Sequence, residues 1–310
     1  MRIVEYDGGA PFPREPSAVT VGSFDGVHRG HRKIISRMVS IARSRGLRSV
    51  VVTFEPHPRR VLEGGVSEPL GLLTTLDEKV ELLGAECVDL LCIARFTPEF
   101  AARSSDDFIR SVLVEEIGAE CVVVGYDHGF GRNRSGGGDE LRRLGGELGF
   151  DVVEVDEIQI ENEHFSSTRI RSLLAEGRME EANGFLGAPY MISGRVVVGE
   201  GKGREIGFPT ANILPPDSYK LLPRAGVYAA STVIDGNPYK AMMNIGVRPT
   251  VSALGMTTVE VHILGWSGSL YGRELQFSLL QFLREERKFD SLEALREQLE
   301  KDKKGVELYS

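Results

Sequence analysis

The 310 residues, 41% hydrophobic and 26% charged, suffice for one large core or two ordinary ones. A formal net charge of −8 argues against a broad nucleic-acid surface, which carries a basic excess, and still allows one anionic small molecule in a locally basic pocket. No apolar run nears the ~18 residues of a membrane span, and the opening MRIVEYDGGAPFPREP lacks the basic flank and apolar core of a signal peptide. A cytoplasmic protein without membrane or nucleic-acid partners is expected.

In chain order, SAVTVGSF reads as a strand and HRKIISRMVSIARSRG as an amphipathic helix. RSVVVTFEP, VDLLCIARF, CVVVGYD and DVVEVDEI repeat the strand pattern. TLDEKVELLGAE, SSDDFIRSVLVEEIGAE and GDELRRLGGELG supply the helices between them. Short apolar runs of this kind suit strands buried on both faces, and repeated strand–helix units predict a parallel sheet. Thr75 or Asp77 is a natural cap for one helix, and Ser104 or Ser105 for another. Near residue 187 the helical period vanishes. SGRVVVGEG, GVYAASTVIDG, YKAMMNIGV, TTVEVHILG and ELQFSLLQFL follow as strands between Gly, Pro, Asn and Asp turns. DSLEALREQLEKDKK then returns to helix, with Asp290 or Ser291 as its cap. The expected architecture is an α/β domain with a parallel sheet over 1–186. A small antiparallel barrel with a C-terminal helix follows over 187–310. Cys87, Cys92 and Cys121 lie among apolar residues without CxxC spacing, and are expected to be small core residues.

The stretch VGSFDGVHRGHR, residues 21–32, sets His28 and His31 three apart behind a glycine turn. A metal site, an acid/base pair, a phosphate cradle or no role at all would each fit a histidine pair. Two histidines with no nearby third ligand make a poor zinc site. At the carboxyl edge of a parallel strand, where a helix begins, free N–H groups and the helix dipole favour an anion. Neither GxxxxGK[ST] nor GxGxxG occurs, so this is not one of the common phosphate loops.

The block GSFDGVHRGH resembles the signature of nucleotidylyltransferases, and in its fuller form that of the bacterial bifunctional riboflavin kinase/FAD synthetases. The resemblance extends through TFEPHPRRVL (53–62), VVVGYDHGFGRNRSGG (122–137) and FSSTRIRSLL (165–174). It implies a Rossmann-like nucleotidylyltransferase domain in which His28 and His31 steady adenylyl transfer. Gly22, Phe24, Asp25, Gly30, Asp127, Arg134, Ser167 and Arg171 would bind the ATP phosphates. Asp127 would meet Mg²⁺ or ribose, Arg132 would be a further phosphate donor, and Arg169 would be structural.

In the second half, GEGKGREIGFPTANI (199–213) resembles the riboflavin kinase signature. Thr210 and Asn212 offer hard oxygen ligands suited to Mg²⁺, and the glycines allow a loop over phosphates. The resemblance implies ATP or flavin contacts from Gly201, Lys202, Gly203, Arg204, Gly207, Pro209 and Arg287. GVYAA, NIGVRPTV, VEVHIL, LYGREL and LREERKF follow in the family's order. Glu260 is the implied catalytic base. Its flanking Val259 and Val261 point to the opposite face of the strand. Arg284 would face phosphate or solvent. His128 and Ser269 depart from the family's usual aromatic and acidic residues.

The implied activity is bifunctional. Riboflavin and ATP give FMN, then FMN and ATP give FAD and pyrophosphate, with Mg²⁺ as cofactor. The partners are small molecules, riboflavin, FMN, FAD and ATP, and the chain is expected to be a monomer or a transient homo-oligomer. A different nucleotidylyltransferase acting on pantetheine phosphate, with an unrelated barrel attached, would lack GFPTAN and VEVHIL. A non-catalytic flavin-binding protein would lack His28, His31, Thr210, Asn212 and Glu260.

Overall fold

The computed structural model describes residues 1–8, 13–62, 71–126, 137–156, 159–160, 163–198, 203, 206–248 and 256–308. The chain forms two compact units. One comprises residues 1–70 and 76–166, the other residues 71–75 and 167–310.

The first unit is built on a six-stranded sheet of order β1-β4-β3-β2-β5-β6. Its strands are β1 (Arg2–Tyr6), β2 (Ser17–Val21), β3 (Arg48–Glu55), β4 (Leu90–Arg95), β5 (Ala119–Gly125) and β6 (Asp151–Val155). All neighbouring pairs are parallel. Both faces are covered, which is why the strands read as continuous apolar runs. Val50 and Val52 of β3 join one cluster with Ile109, Val112, Leu141 and Leu144. Val51, between them, joins another with Ile35, Met38 and Leu83. Helix α1 (Arg29–Arg45), helix α2 (Pro58–Leu62) and helix α3 (Leu76–Gly84) come first. They are followed by the one-turn α4 (Pro98–Ala101), the short α5 (Ser105–Asp107) and α6 (Gly138–Leu148).

Two features differ from the sequence reading. RIVEY forms the edge strand β1, although its burial on one face only hides it among polar residues. The helix expected from Ser104 is a π-helix over Phe108–Ile117 after the first turn. Ser104 does cap it, accepting from the Asp107 N–H at 3.0 Å.

The second unit holds a closed antiparallel barrel of order β10-β13-β12-β11-β14-β9. Its strands are β9 (Tyr190–Val197), β10 (Ala211–Leu214), β11 (Gly226–Ile234), β12 (Asn237–Arg248), β13 (Met256–Ile263) and β14 (Glu274–Arg284). A hairpin of β7 (Gln159–Ile160) and β8 (Glu163–His164) precedes it in the first unit. Closure leaves no free sheet edge. Helix α7 (Ser167–Glu176) and helix α8 (Met179–Leu186) belong to the barrel's unit. The Asn183 amide donates to the Leu279 carbonyl at 2.9 Å and accepts from the Tyr190 N–H at 2.8 Å. Residues 71–75 join this unit too. Leu72 bridges Lys220, and the buried Lys220 ammonium donates to the Leu73 carbonyl at 2.7 Å. Helix α9 (Leu292–Glu307) starts at Ser291, whose hydroxyl accepts from the Ala294 N–H at 3.1 Å.

Cys92 and Cys121 are buried, as expected, but Cys87 is exposed in a left-handed turn at φ 57°. Burial pushes the Cys92 thiol up to about 12 and raises Cys121 as well. Since the thiolate is the nucleophile, a thiol reagent at neutral pH should label one cysteine per native chain and all three after denaturation. Mass spectrometry of the labelled peptides checks this, and rapid native labelling of Cys92 would contradict it.

Candidate active sites

In the first unit, β2 lies between β3 and β5. The chain builds β3 and β4 on one side of it, then crosses to β5 and β6 on the other. This makes the carboxyl end of β2 a topological switch point, where open α/β sheets bind ligands. The loop leaving it is strained. Phe24 at φ 45°, Gly26 at φ 84° and Val27 at φ 40° all adopt left-handed backbone. Two of these are not glycine, and such residues hold that shape only when their surroundings impose it. Phe24 and Val27 are anchored in the core cluster of α1 and α3. Gly22 makes this possible, because a Cβ there would stand 3.2 Å from the Phe24 ring.

His28 is the N-cap of α1, and its Nδ1 accepts from the His31 backbone N–H at 3.4 Å. An accepting Nδ1 carries no proton, so the neutral ring bears its proton on Nε2. The His28 and His31 rings stack with centroids 3.6 Å apart, and His31 meets Phe24 edge-on at 5.3 Å. Gly30 completes the corner. A Cβ there would lie 3.1 Å from the His28 ring and 3.4 Å from the Phe165 Cβ. The result is a rigid helix start where two imidazoles stand at the positive end of the α1 dipole, suited to an anion. Asp127, His128, Arg132 and Arg134 lie outside the described residues. So do Gly201, Lys202 and Arg204 of the second half.

Ser167 and Arg171 stand one turn apart on α7. The Arg171 guanidinium donates to the Gly71 carbonyl at 2.8 Å.

In the barrel, β13 pairs with β10 on one side and β12 on the other, and Glu260 faces Asn212 across one pair and Asn244 across the other. Residues directly opposite share a face. Val259, Val261, Ile213, Met243 and Ile245 are buried beside this row, so alternation turns Asn212, Glu260 and Asn244 to the barrel's outer face. Asn244 donates to the Glu286 carboxylate at 2.9 Å. A Cβ at Gly246 would strike that carboxylate at 2.5 Å, so this glycine admits Glu286 to the row. The FPT segment is held against β13. His262 Nδ1 lies 2.8 Å from the Pro209 carbonyl, and the buried Phe208 ring packs 5.1 Å from His262. Gly203 is fixed by closeness, accepting from the Phe208 N–H at 2.9 Å and leaving a Cβ only 2.2 Å from the Phe208 oxygen. Gly207 is left-handed at φ 82°.

Asn244, Glu286 and His262 carry no signal in a single sequence beyond their polar type. Register alone brings Asn244 opposite Glu260, and Glu286 joins through its bond with Asn244. Arg284 has a structural partner. Its guanidinium grips the buried Asp302 carboxylate of α9 at 2.7–3.1 Å. Arg287 hydrogen-bonds Gln298 and lies 4.7 Å over the Phe289 ring. Asp302→Ala would strand the Arg284 cation, and should destabilise the barrel unit by about 3 kcal/mol. Thermal unfolding measures this loss, and replacing both partners by apolar residues should cost less than Asp302→Ala alone.

Among the described residues no group of three His, Cys, Asp or Glu could hold a metal ion. Thr210 and Asn212 offer a different donor set, two hard oxygens, both half-buried.

A family model described as FAD synthetase matches residues 12–169, and one described as riboflavin kinase matches residues 186–309. A protein of Listeria monocytogenes named bifunctional riboflavin kinase/FMN adenylyltransferase is 37% identical over 94% of this chain and 91% of its own length. One of the same name from Escherichia coli K12 is 38% identical over the same shares. A solved structure from Streptococcus pneumoniae, described as a macrolide-efflux protein, is 29% identical, covers all of both chains and has a TM-score of 0.89. Among the described residues no helix is long and apolar enough to cross a membrane.

Proposed function

Because the chain belongs to the bifunctional riboflavin kinase/FMN adenylyltransferase family, we infer that it makes both flavin cofactors in succession. Residues 187–310 phosphorylate riboflavin, and residues 1–186 adenylylate the FMN produced. The observation that carries the kinase reading is the row Asn212–Glu260–Asn244 on one face of the barrel. The row sets the Glu260 carboxylate between two side-chain amides, an arrangement that suits a general base.

In the first reaction Glu260 takes the proton of the ribityl 5′-hydroxyl, whose oxygen attacks the γ-phosphorus of ATP, and ADP leaves. Asn212 and Asn244 flank the carboxylate across the strand pairs. Thr210 and Asn212 would hold Mg²⁺, and their oxygens fit an ion that takes few protein ligands and keeps water and substrate phosphate. When bound, that ion neutralises charge on the phosphates. Gly201, Lys202, Gly203, Arg204, Gly207 and Pro209 are assigned to the loop over the nucleotide, and Arg287 to the flavin or nucleotide phosphate.

In the second reaction a phosphate oxygen of FMN attacks the α-phosphorus of ATP and pyrophosphate leaves. No covalent enzyme intermediate is needed, so catalysis is positioning and charge stabilisation. With Nδ1 of His28 accepting the α1 cap bond, its Nε2–H is assigned as a donor to a phosphate oxygen. His31, the α1 N-terminus, Ser167 and Arg171 add further donors. Gly22, Phe24, Asp25 and Gly30 shape the loop. Asp127 and Arg134 are assigned by motif, Asp127 with a role at Mg²⁺. Work in the cytoplasm is supported by three unpaired cysteines.

Pure protein incubated with riboflavin, ATP and Mg²⁺, with the flavins separated by chromatography, tests the inference. FMN followed by FAD is expected. FMN alone would remove the adenylyltransferase assignment, and no product would remove both.

A further inference from the structure

Lys79 sits on α3 with 3% of its surface exposed. The amphipathic pattern of TLDEKVELLGAE marks this lysine as an ordinary helix residue, and neither reaction above uses it. Lysine is almost never fully buried unless paired, and an unpaired buried ammonium is strongly destabilising. Its Nζ lies 3.5 Å from Thr53 Oγ1, and the Thr53 hydroxyl donates to the Ser23 carbonyl at 3.2 Å. Thr53 is fully buried on β3, and Ser23 belongs to the loop that leads to His28. Asp25, 2% exposed, sits in that same loop. Asp25 and Glu55 are the carboxylates whose charge favours the ammonium, against the burial that pulls Lys79 down from its ordinary range.

A buried carboxylate in a loop that must receive a triphosphate is a repulsive neighbour unless a cation offsets it. The loop is also strained, so it needs support from beneath. We propose that Lys79 is the positioning residue of the adenylyl-transfer loop. Its ammonium supports Ser23 through Thr53 and offsets the Asp25 charge, so that the start of α1 can accept the ATP phosphates. The proposal rests on the reading of this loop as the ATP site.

The test uses the full chain with Lys79→Met, Asp25→Asn and the double variant. FAD formation from supplied FMN is followed as a function of ATP concentration. Lys79→Met should raise the KM for ATP by about tenfold or more, a larger effect than on kcat. Adding Asp25→Asn should recover part of that loss, because the negative charge that the ammonium offsets is gone. A Lys79→Met enzyme within about twofold of the parent in KM and kcat would overturn the proposal, and so would a loss that Asp25→Asn deepens. If Lys79→Met does not fold, as judged by thermal unfolding, the double variant decides. Folding with FAD formation regained supports the charge pairing, and failure to fold overturns it. A parent enzyme that makes no FAD at all would instead remove the ATP-site reading, which is a distinct result.

Discussion

Glu260→Gln should stop FMN formation and leave FAD formation from supplied FMN at the parent rate. The substitution is nearly isosteric, and the amide can still hydrogen-bond beside Asn212 and Asn244, which face this position across the barrel strands. What it removes is the ability to take a proton. General-base catalysis contributes about 10²- to 10⁴-fold, so a loss of about a thousandfold in kcat for riboflavin phosphorylation is expected, with little change in KM. The sheet, core clusters and His28–His31 helix start lie in the first unit, away from β13 in the chain, so FAD formation should not respond. Quantifying FMN and FAD from the same preparation, started once from riboflavin and once from FMN, separates the two activities. An equal loss of both would defeat the division of labour between the domains, and a fully active kinase would remove Glu260 as the base.

The second large effect is expected at His28, where stability and chemistry must be told apart. His28→Ala removes the imidazole and also the N-cap of α1. Loss of a cap costs about 1 kcal/mol, and loss of one transition-state donor costs about 10²- to 10³-fold in rate. His28→Asn restores a side-chain acceptor for the His31 N–H without supplying the Nε2–H donor. It should therefore melt close to the parent and yet remain about a hundredfold or more slower in FAD formation. Both variants should phosphorylate riboflavin normally. If His28→Asn restores the adenylyl-transfer rate along with the melting temperature, His28 acts through the helix cap alone.

The capping role of His28 was not legible in the sequence. Histidine is not among the usual caps, and the block reads as a glycine turn with two imidazoles. Only the folded loop shows that one nitrogen of His28 accepts the helix cap bond. The second barrel strand, the four-residue run ANIL, was equally hidden. Within GFPTANI it reads as part of a loop, because four residues give too short an alternation, yet it forms β10 and sets Asn212 opposite Glu260. Cys87 misled for a related reason. Its apolar neighbours suggest a core position, but it falls in the turn after α3, where its side chain meets solvent.

The sequence by itself determined the parallel sheet and the barrel, narrowed two helix caps to Ser104 or Ser105 and to Asp290 or Ser291, and marked out the motif blocks. These are local properties. Period-two and helical patterning, turn residues and cap hydroxyls act within a few residues, and motif blocks are contiguous in the chain. The tertiary structure decided everything that depends on which strands become neighbours. It put β2 at the switch point, joined residues 71–75 to the barrel's unit, and brought Asn244 and Glu286 to the row of Glu260. It also took Arg284 for Asp302 and drew Lys79 beneath the Ser23–Asp25 loop. Partners separated by tens of residues meet only when a core closes around them, and no local pattern records which partner a buried charge will find.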